Sequence, residues 1–346
     1  MRRVFLIGLV VLAAACSGPA GTGGNGAPSG PSLGMVTDIG GLGDKSFNDS
    51  ADRGLLLAQA RYHARITVLQ SRAFVDYEPN LSTLAEQHDD LIVAVGFLMH
   101  DSVDAVAARF PQSHFAIIDS VVDQPNVTSV TFKEEESSFL AGVAATLATK
   151  KDVVAFLGGI DSPLIEKFLA GFEAGVESAN PKVKVLVKYT GSFDDVASGK
   201  EYATLLFQQG ADVIYTAAGK CGLGAIDEVK TLGPGDYIIG VDSDQDALAP
   251  GKVLTSALKR VDAAVFSLAA DVVQGHVPSG HIVLGLKQAG VGLTDMRFTR
   301  GDIPAYGPRE IEAYRRAIVS GAIDVPSTLD ELAHFHPVPP SLAGAR

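Results

Sequence analysis

The chain has 346 residues, 47% of them hydrophobic, which suffices for one large domain or two ordinary lobes and excludes global disorder. A formal net charge of −12 argues against nucleic-acid binding, because neutralising phosphates needs basic patches, and against electrostatic docking on anionic lipid. There is no tryptophan, so aromatic ligand contacts fall to Phe or Tyr, and the eight histidines lack the close pairing that a four-ligand zinc site requires.

The amino terminus reads as an address. Arg2 and Arg3 precede an apolar run, Val4 to Ala14, of signal-peptide length and too short to span a membrane. Ala13-Ala14-Ala15-Cys16 then resembles the lipobox of bacterial lipoproteins, in which the cysteine is acylated and becomes the new amino terminus. Leu12 sits one place further back than the usual leucine; an ordinary signal peptide with an incidental cysteine is the alternative. The Arg pair also hints at twin-arginine export, and the motif does not separate the two routes. Ser17 to Ser32, SGPAGTGGNGAPSGPS, has no periodicity and reads as a tether spanning on the order of 20 Å. The expected organisation is thus a signal peptide with lipobox over 1–16, a flexible linker over 17–32 and a two-lobed body over 33–346. No later run of eighteen apolar residues occurs, so the body is expected to be soluble.

From Leu33 onward, short β-rich runs alternate with helical patterns. Strands are expected at 33–37, 66–69, 91–95, 114–118 and 127–132, then at 153–157, 183–189, 213–216, 237–241 and 253–257. Several are continuous apolar runs, as parallel strands buried on both faces require. Between the two series a long helix is expected over 134–150. Pro163 to Ser178 is the clearest helix, with Leu164, Phe168, Phe172 and Val176 on one stripe and Asn180-Pro181 ending it; Gly171 and Gly175 would let it sit close to its sheet. Such alternation implies doubly wound α/β lobes whose ligands bind at the carboxyl ends of the strands. The residues there are Asp38, Gly96-Phe97, Asp119, Gly158-Gly159, Gly219 and Asp242.

Three motifs imitate cofactor sites and fail in detail. Gly40-Gly41-Leu42-Gly43-Asp44-Lys45-Ser46 has Asp44 where a P-loop needs glycine, and a carboxylate there repels phosphate; a tight turn with Ser46 or Asp44 capping a helix from Phe47 fits better. Gly219-Lys220-Cys221-Gly222-Leu223-Gly224, with Asp242 ending the next strand, has the wrong glycine order for a dinucleotide fingerprint, although its glycines allow close approach to a ligand and Asp242 can grip ribose hydroxyls. Acids at Glu134–Glu136, Asp194-Asp195, Asp242 and Asp244 read mainly as solvated faces, since no nucleophile–base set and no G-x-S-x-G accompanies them. Cys221 could be a nucleophile at a helix start or merely a tolerated small residue; a disulfide to Cys16 would tie a leader to the body and is not expected. No enzyme activity, cofactor or metal is expected.

The segments TDIGGLGDKSFND (37–49), HFAIIDSVVD (114–123), TFKEEESSFLAG (131–142), FLGGIDSPLIEKFLAGFEAG (156–175), IIGVDSDQ (238–245), VLTSALKRVDAAVF (253–266) and GLKQAGVGL (285–293) run in order along nearly all of the body. Together they resemble the basic membrane protein family of substrate-binding lipoproteins, which includes purine nucleoside receptors. The resemblance implies a type I periplasmic-binding fold, two doubly wound parallel-sheet lobes with a hinge, and ligand held between them. It implies a nucleoside ligand, an ABC permease with its separate ATPase as partners, and attachment through lipid to the extracytoplasmic face of the membrane. Phe47 and Phe193 resemble the aromatics that sandwich the base, Asn48 and Asp119 the groups at its edge, and Asp242 and Lys259 those that hold ribose; Asp38 and Gly219 are cleft neighbours. Stacking is worth ~1–3 kcal/mol per base, and asparagine both donates and accepts. Without the resemblance, Phe47 is equally a first-turn core residue and Phe193 a loop residue packed on its lobe. Lys220-Cys221 departs from the small residues expected at that glycine loop. A receptor that senses a nucleoside or a sugar-like ligand for signalling is the alternative to uptake.

If Cys16 carries lipid, Cys16→Ser moves the protein from the membrane fraction to the soluble one. Identical, fully soluble fractionation of both proteins removes the anchor.

Overall fold

The computed structural model describes residues 30–276 and 279–339; Cys16, the leader, most of the linker and the last seven residues lie outside the described residues. Strands β1 (Ser32–Thr37), β2 (Arg65–Gln70), β3 (Leu91–Val95), β4 (Phe115–Ile118) and β5 (Val127–Phe132) alternate with helices α1 (Phe47–Tyr62), α2 (Tyr77–Glu86) and α3 (His100–Arg109). After helix α4 (Glu134–Ala148) come β6 (Val153–Gly158), α5 (Pro163–Ala179), β7 (Lys184–Tyr189), α6 (Val196–Gln208), β8 (Val213–Ala217), α7 (Cys221–Val229), β9 (Tyr237–Asp242) and β10 (Val253–Lys259). Helix α8 (Val261–Val273), β11 (Gly280–Leu284), β12 (Val291–Leu293), α9 (Gly307–Val319) and the short α10 (Leu329–Leu332) complete the described chain.

Two six-stranded sheets result, ordered β11-β5-β4-β3-β1-β2 and β12-β10-β9-β8-β6-β7. Every pairing is parallel except that of β12 with β10. The orders match position for position, so the second lobe repeats the first. Central strands β1, β3, β4, β8 and β9 are buried throughout, as their apolar runs required, whereas edge strands β2 and β7 are half-exposed. The ten strands expected from the sequence are all present, with ends shifted by at most two residues. Strands β11 and β12 went unpredicted: each lies at a sheet edge, and β11 exists because it pairs with β5, 152 residues earlier (Gly280 with Thr128).

Among the described residues the chain crosses between lobes three times: from β5 into α4, from β10 into α8, and from β11 into β12. The crossings are bonded to one another. Lys133 N donates to Leu284 O at 3.0 Å and Arg260 N to Gly290 O at 2.8 Å. Glu136 Oε2 accepts from Leu286 N at 2.6 Å. Helix α4 has already crossed: it packs along α5 in the second lobe, so that lobe begins near Glu134 rather than near Val153.

The α4–α5 contact corrects one expectation. Gly171 and Gly175 bring α5 close not to its sheet but to α4: a Cβ on either would collide with backbone, Glu135 O for Gly171 and Phe139 O for Gly175. Gly142 on α4 meets Phe172 O in the same way. The Leu164/Phe168/Phe172/Val176 stripe faces the sheet and cleft, leaving the glycine face for the neighbouring helix. At its start Ser162 Oγ accepts from Ile165 N at 3.4 Å, and Pro163 occupies the first turn, where no N–H is needed.

A side chain at Gly175 has no room without separating the two helices. Gly175→Val is expected to lower stability by roughly 1–3 kcal/mol, the usual range for overpacking, whereas Gly233→Ala, with open space around its Cβ, stays within about 0.5 kcal/mol of wild type. Urea denaturation reads both, and an unchanged midpoint for Gly175→Val would contradict the close helix contact.

Candidate functional site

The strand ends of both sheets face one cleft between the lobes, enclosing about 550 Å³ out to its open mouth. Asp38, Phe47, Asn48, Asp119, Phe193, Gly219, Asp242 and Lys259 all line it, so the eight residues singled out in the sequence come together. The first lobe contributes Asp38 after β1, Phe47 and Asn48 on the first turn of α1, and Asp119 after β4. The second contributes Phe193 between β7 and α6, Gly219 after β8, Asp242 ending β9 and Lys259 ending β10. Gly40, Asp44, Gly96, Phe97, Leu164, Ile165, Phe168, Ala217, Lys220 and Val241 complete the lining.

Asp44 organises the entry to α1. Its Oδ1 accepts from Ser46 N (2.9 Å) and Asp49 N (3.1 Å), and its Oδ2 from Asn48 N (2.7 Å), so the carboxylate sits at the positive end of the helix. Of the two expected caps, Asp44 does the capping. Ser46 makes no side-chain cap; its Oγ instead reaches the other lobe, donating to Asp242 Oδ2 at 2.6 Å. Ser243 Oγ donates back to Ser46 O at 2.9 Å, and Gln245 Nε2 to Lys45 O at 3.1 Å. The glycine-rich turn is thus a contact between lobes, not a phosphate loop. Lys220, the departure noted in the second glycine loop, lies with its Nζ 3.5 Å from Leu42 O of that same turn.

Asp119 and Asp242 occupy equivalent places in the two lobes, and both adopt left-handed backbone, φ 68° and 61°, unusual for residues other than glycine. The turn aims each carboxyl off its strand end toward the cleft. Lys259, 2% exposed, ion-pairs with Asp119 Oδ2 and, at 3.0 Å, with Glu134 Oε1. Its ammonium also lies 4.9 Å from the Phe47 ring centre, 5.2 Å from Phe132 and 5.6 Å from Phe168. Behind it, Lys167 Nζ donates to Phe132 O and Glu134 Oε2, both at 2.6 Å. Glu134, Glu135 and Glu136 are therefore not a solvated run; they are buried at the crossing between lobes. Glu134 and Lys167 were missed in the sequence. The available signal was three acids opening a helix directly after a strand that ends in a lysine-flanked turn.

Burial dominates the titration of the site. It pushes Asp242 up to about 6 against the opposing pull of Lys259 and Ser46, and Asp38 up to about 6 against hydrogen bonds from Asn48 and Gly40. Asp119 is raised by burial, with Glu134 and Asp242 adding to it and Lys259 opposing. Burial likewise opposes charge on Glu134, but Lys259 and Lys167 outweigh it and hold that carboxyl below the ordinary value. Burial would depress Lys259, yet Asp119, Glu134 and Asp242 together hold its pKa above normal.

The aromatic wall is built from both lobes. Phe97 meets Phe193 edge-on, ring centres 6.3 Å apart and planes at 88°. Gly159 leaves room for the Phe193 ring, since any Cβ there would strike it. Cys221 is fully buried, its Sγ 3.3 Å from Ser192 O, and burial raises its pKa, so it is not an activated nucleophile. Gly224 packs against Val196 of α6 rather than approaching the cleft; of that loop's glycines, Gly219 lines it. Among the described residues no cluster of His, Cys, Asp and Glu is placed to hold a metal ion.

A cleft of strand ends between two parallel-sheet lobes agrees with the comparisons. Residues 32–314 match the family model of PnrA-like ABC transporter substrate-binding proteins. The chain belongs to this family. A solute-binding protein of an ABC transporter system from Aeropyrum pernix K1 superposes with a TM-score of 0.79 at 31% identity, covering 88% of this chain and 96% of that one. The ABC transporter nucleoside-binding protein BmpA of Lactococcus lactis is 39% identical over 280 residues, 75% of this chain and 80% of the relative. The CD4+ T-cell-stimulating antigen of Listeria monocytogenes is 37% identical over 313 residues, 84% and 87% of the two chains. The PnrA-like chain is accordingly a binding protein rather than an enzyme, with the α/β fold of the periplasmic solute-binding proteins.

Asp242 gives a test by pH. Its folded pKa, about 6, lies above the unfolded value of 3.8, so between these values the native state holds the extra proton. Stability from this group is present below about pH 4 and is lost as pH rises through about 6. Asp242→Asn removes the titration, so its melting temperature relative to wild type should climb from pH 4 to pH 7 and then level. A difference that stays flat across that range would show an unstrained carboxyl.

Proposed function

We propose that this chain is the lipid-anchored receptor that captures a nucleoside, of the purine class, at the extracytoplasmic face of the membrane and delivers it to an ABC permease driven by a separate ATPase. The reading is carried by the convergence in one cleft of an aromatic ring from each lobe, Phe47 and Phe193, with a strand-end aspartate from each lobe, Asp119 and Asp242. Two faces of a planar base suit two rings, and ribose hydroxyls suit a carboxylate, which accepts from both. In this reading Asn48 and Asp119 meet the base edge, Asp242 and Lys259 hold the ribose, and Asp38 and Gly219 shape the wall.

Two further features support it. Among the described residues Asn48 Oδ1 and Asp119 Oδ1 are buried acceptors without a hydrogen-bond partner, and a buried acceptor left unmatched costs ~1–3 kcal/mol, so a ligand that donates to them recovers that energy. The cleft carries Asp38, Asp44, Asp119 and Asp242 against Lys220 and Lys259, an acidic balance that favours an uncharged nucleoside over a nucleotide. The name of the Lactococcus lactis relative, a nucleoside-binding protein, points the same way.

Calorimetry with ribonucleosides and their 2′-deoxy counterparts tests the assignment. Ribonucleosides should bind roughly tenfold or more tightly, because a deoxy sugar leaves an acceptor unmatched. Asp242→Asn should narrow that gap, while Phe47→Ala should weaken all nucleosides alike by ~1–3 kcal/mol. A ribose preference that survives Asp242→Asn would remove Asp242 from the sugar, and absence of binding by every nucleoside would overturn the function.

A further inference from the structure

Asn48 is the hydrogen-bonding group in the cleft whose orientation is fixed by its surroundings. It is 2% exposed. Its amide Nδ2 donates to Asp38 Oδ1 at 2.8 Å and to Asp44 Oδ2 at 3.2 Å. Turning the amide over would set its oxygen against two carboxylates, so the orientation follows from charge rather than from packing alone. Asp44 in turn is held by three backbone N–H groups at the start of α1. Asp38 is held in the same way: its Oδ1 accepts from Gly40 N at 2.8 Å as well as from Asn48 Nδ2. Both donor hydrogens of Asn48 are therefore consumed inside the protein. Only Oδ1 is left for a ligand, and it has no partner. Asp119 stands in the same position: Oδ2 faces Lys259, and Oδ1, also buried, has no partner.

We infer that Asn48 and Asp119 form an acceptor-only reading edge that selects bases offering two adjacent N–H donors, so that guanosine is preferred to adenosine and inosine. This rests on the nucleoside reading above. Asparagine at a ligand edge is ordinarily ambivalent, able to match N–H or ring nitrogen; here Asp38 and Asp44 remove that choice. Guanine presents N1–H and its exocyclic N2–H side by side. Hypoxanthine keeps N1–H but lacks the amino group. Adenine offers one amino group beside N1, which is an acceptor and would face an acceptor. A site built on hydrogen bonds discriminates strongly against a ligand that leaves its buried groups unpaired. Asp38 and Asp44 are positioning residues in this scheme: they set which atom of Asn48 reads the base.

Equilibrium binding to the wild-type protein at pH 7.5 tests the inference with guanosine, inosine and adenosine, all carrying the same ribose. Guanosine should bind roughly tenfold or more tightly than adenosine, with inosine weaker than guanosine by a similar factor, each corresponding to one unmatched acceptor. Asp38→Asn supplies the second arm. An amide at 38 no longer opposes the turned-over orientation of Asn48, which leaves Asp44 alone against it, so the guanosine–adenosine gap should narrow, through tighter adenosine binding as well as weaker guanosine binding. If that variant does not fold, the wild-type series decides alone. Adenosine binding as tightly as guanosine overturns the acceptor-only edge and leaves the nucleoside receptor standing. Failure of all three to bind overturns the receptor reading itself.

Discussion

The ammonium of Lys259 is the charge around which the cleft is arranged. It sits at the end of β10 in one lobe, pairs with Asp119 of the other, and touches Glu134 at the point where the chain first crosses between them. Desolvating an ammonium costs several kcal/mol, which only close opposite charges can offset. Here two carboxylates and the faces of three phenylalanines do so. Lys167 serves the same end from behind, since without it Glu134 would have to share Lys259 with Asp119 alone. The ion pairs also explain why aromatic residues and acids coexist in one small cavity. Phe47, one of the two rings proposed to stack on a base, is also one of the three that screen the lysine from water.

The two lobes carry related solutions at related places. Asp119-Ser120 follows β4 and Asp242-Ser243 closes β9, each aspartate in left-handed backbone. Lys133 directly follows β5, and Lys259 ends β10. Their fates differ. Lys259 turns inward and is buried, whereas Lys133 is half-exposed and pairs with Glu136 at 3.2 Å beside the crossing. One lysine became the centre of the site and its counterpart part of the connection between the lobes. The cleft is therefore asymmetric in charge although the sheets that build it are alike.

Much of this was legible in the chain. Continuous apolar runs such as Leu91–Val95 and Val213–Ala217 announce buried parallel strands, and the rule that ligands sit at strand ends picks out Asp38, Asp119 and Asp242 without further help. What escaped depends on partners distant in sequence. Glu134–Glu136 look like a solvated run until Lys167 and Lys259 are brought to them. Ser46 looks like a helix cap, yet its hydroxyl is spent on Asp242, 196 residues away. Gly171 and Gly175 signal close approach correctly, but nothing local says whether a helix or a sheet approaches. Strand β12 has three residues, and β11, as long as β3, is mostly exposed and lacks its continuous apolar run; both are strands because an open edge was waiting for them.

The bonds among the three crossings have a mechanical consequence. Lys133 N to Leu284 O and Arg260 N to Gly290 O stitch all three connections into one narrow ribbon along a single side of the cleft. Segments bonded to one another in this way resist shear and torsion, because either would break their hydrogen bonds together, but they bend with little resistance about their own width. Any relative displacement of lobes joined in this way reduces to one angle. Every point on the opposing rims then travels in fixed proportion to its distance from that ribbon, and a surface that spans both rims can measure the angle from the separation of two patches alone.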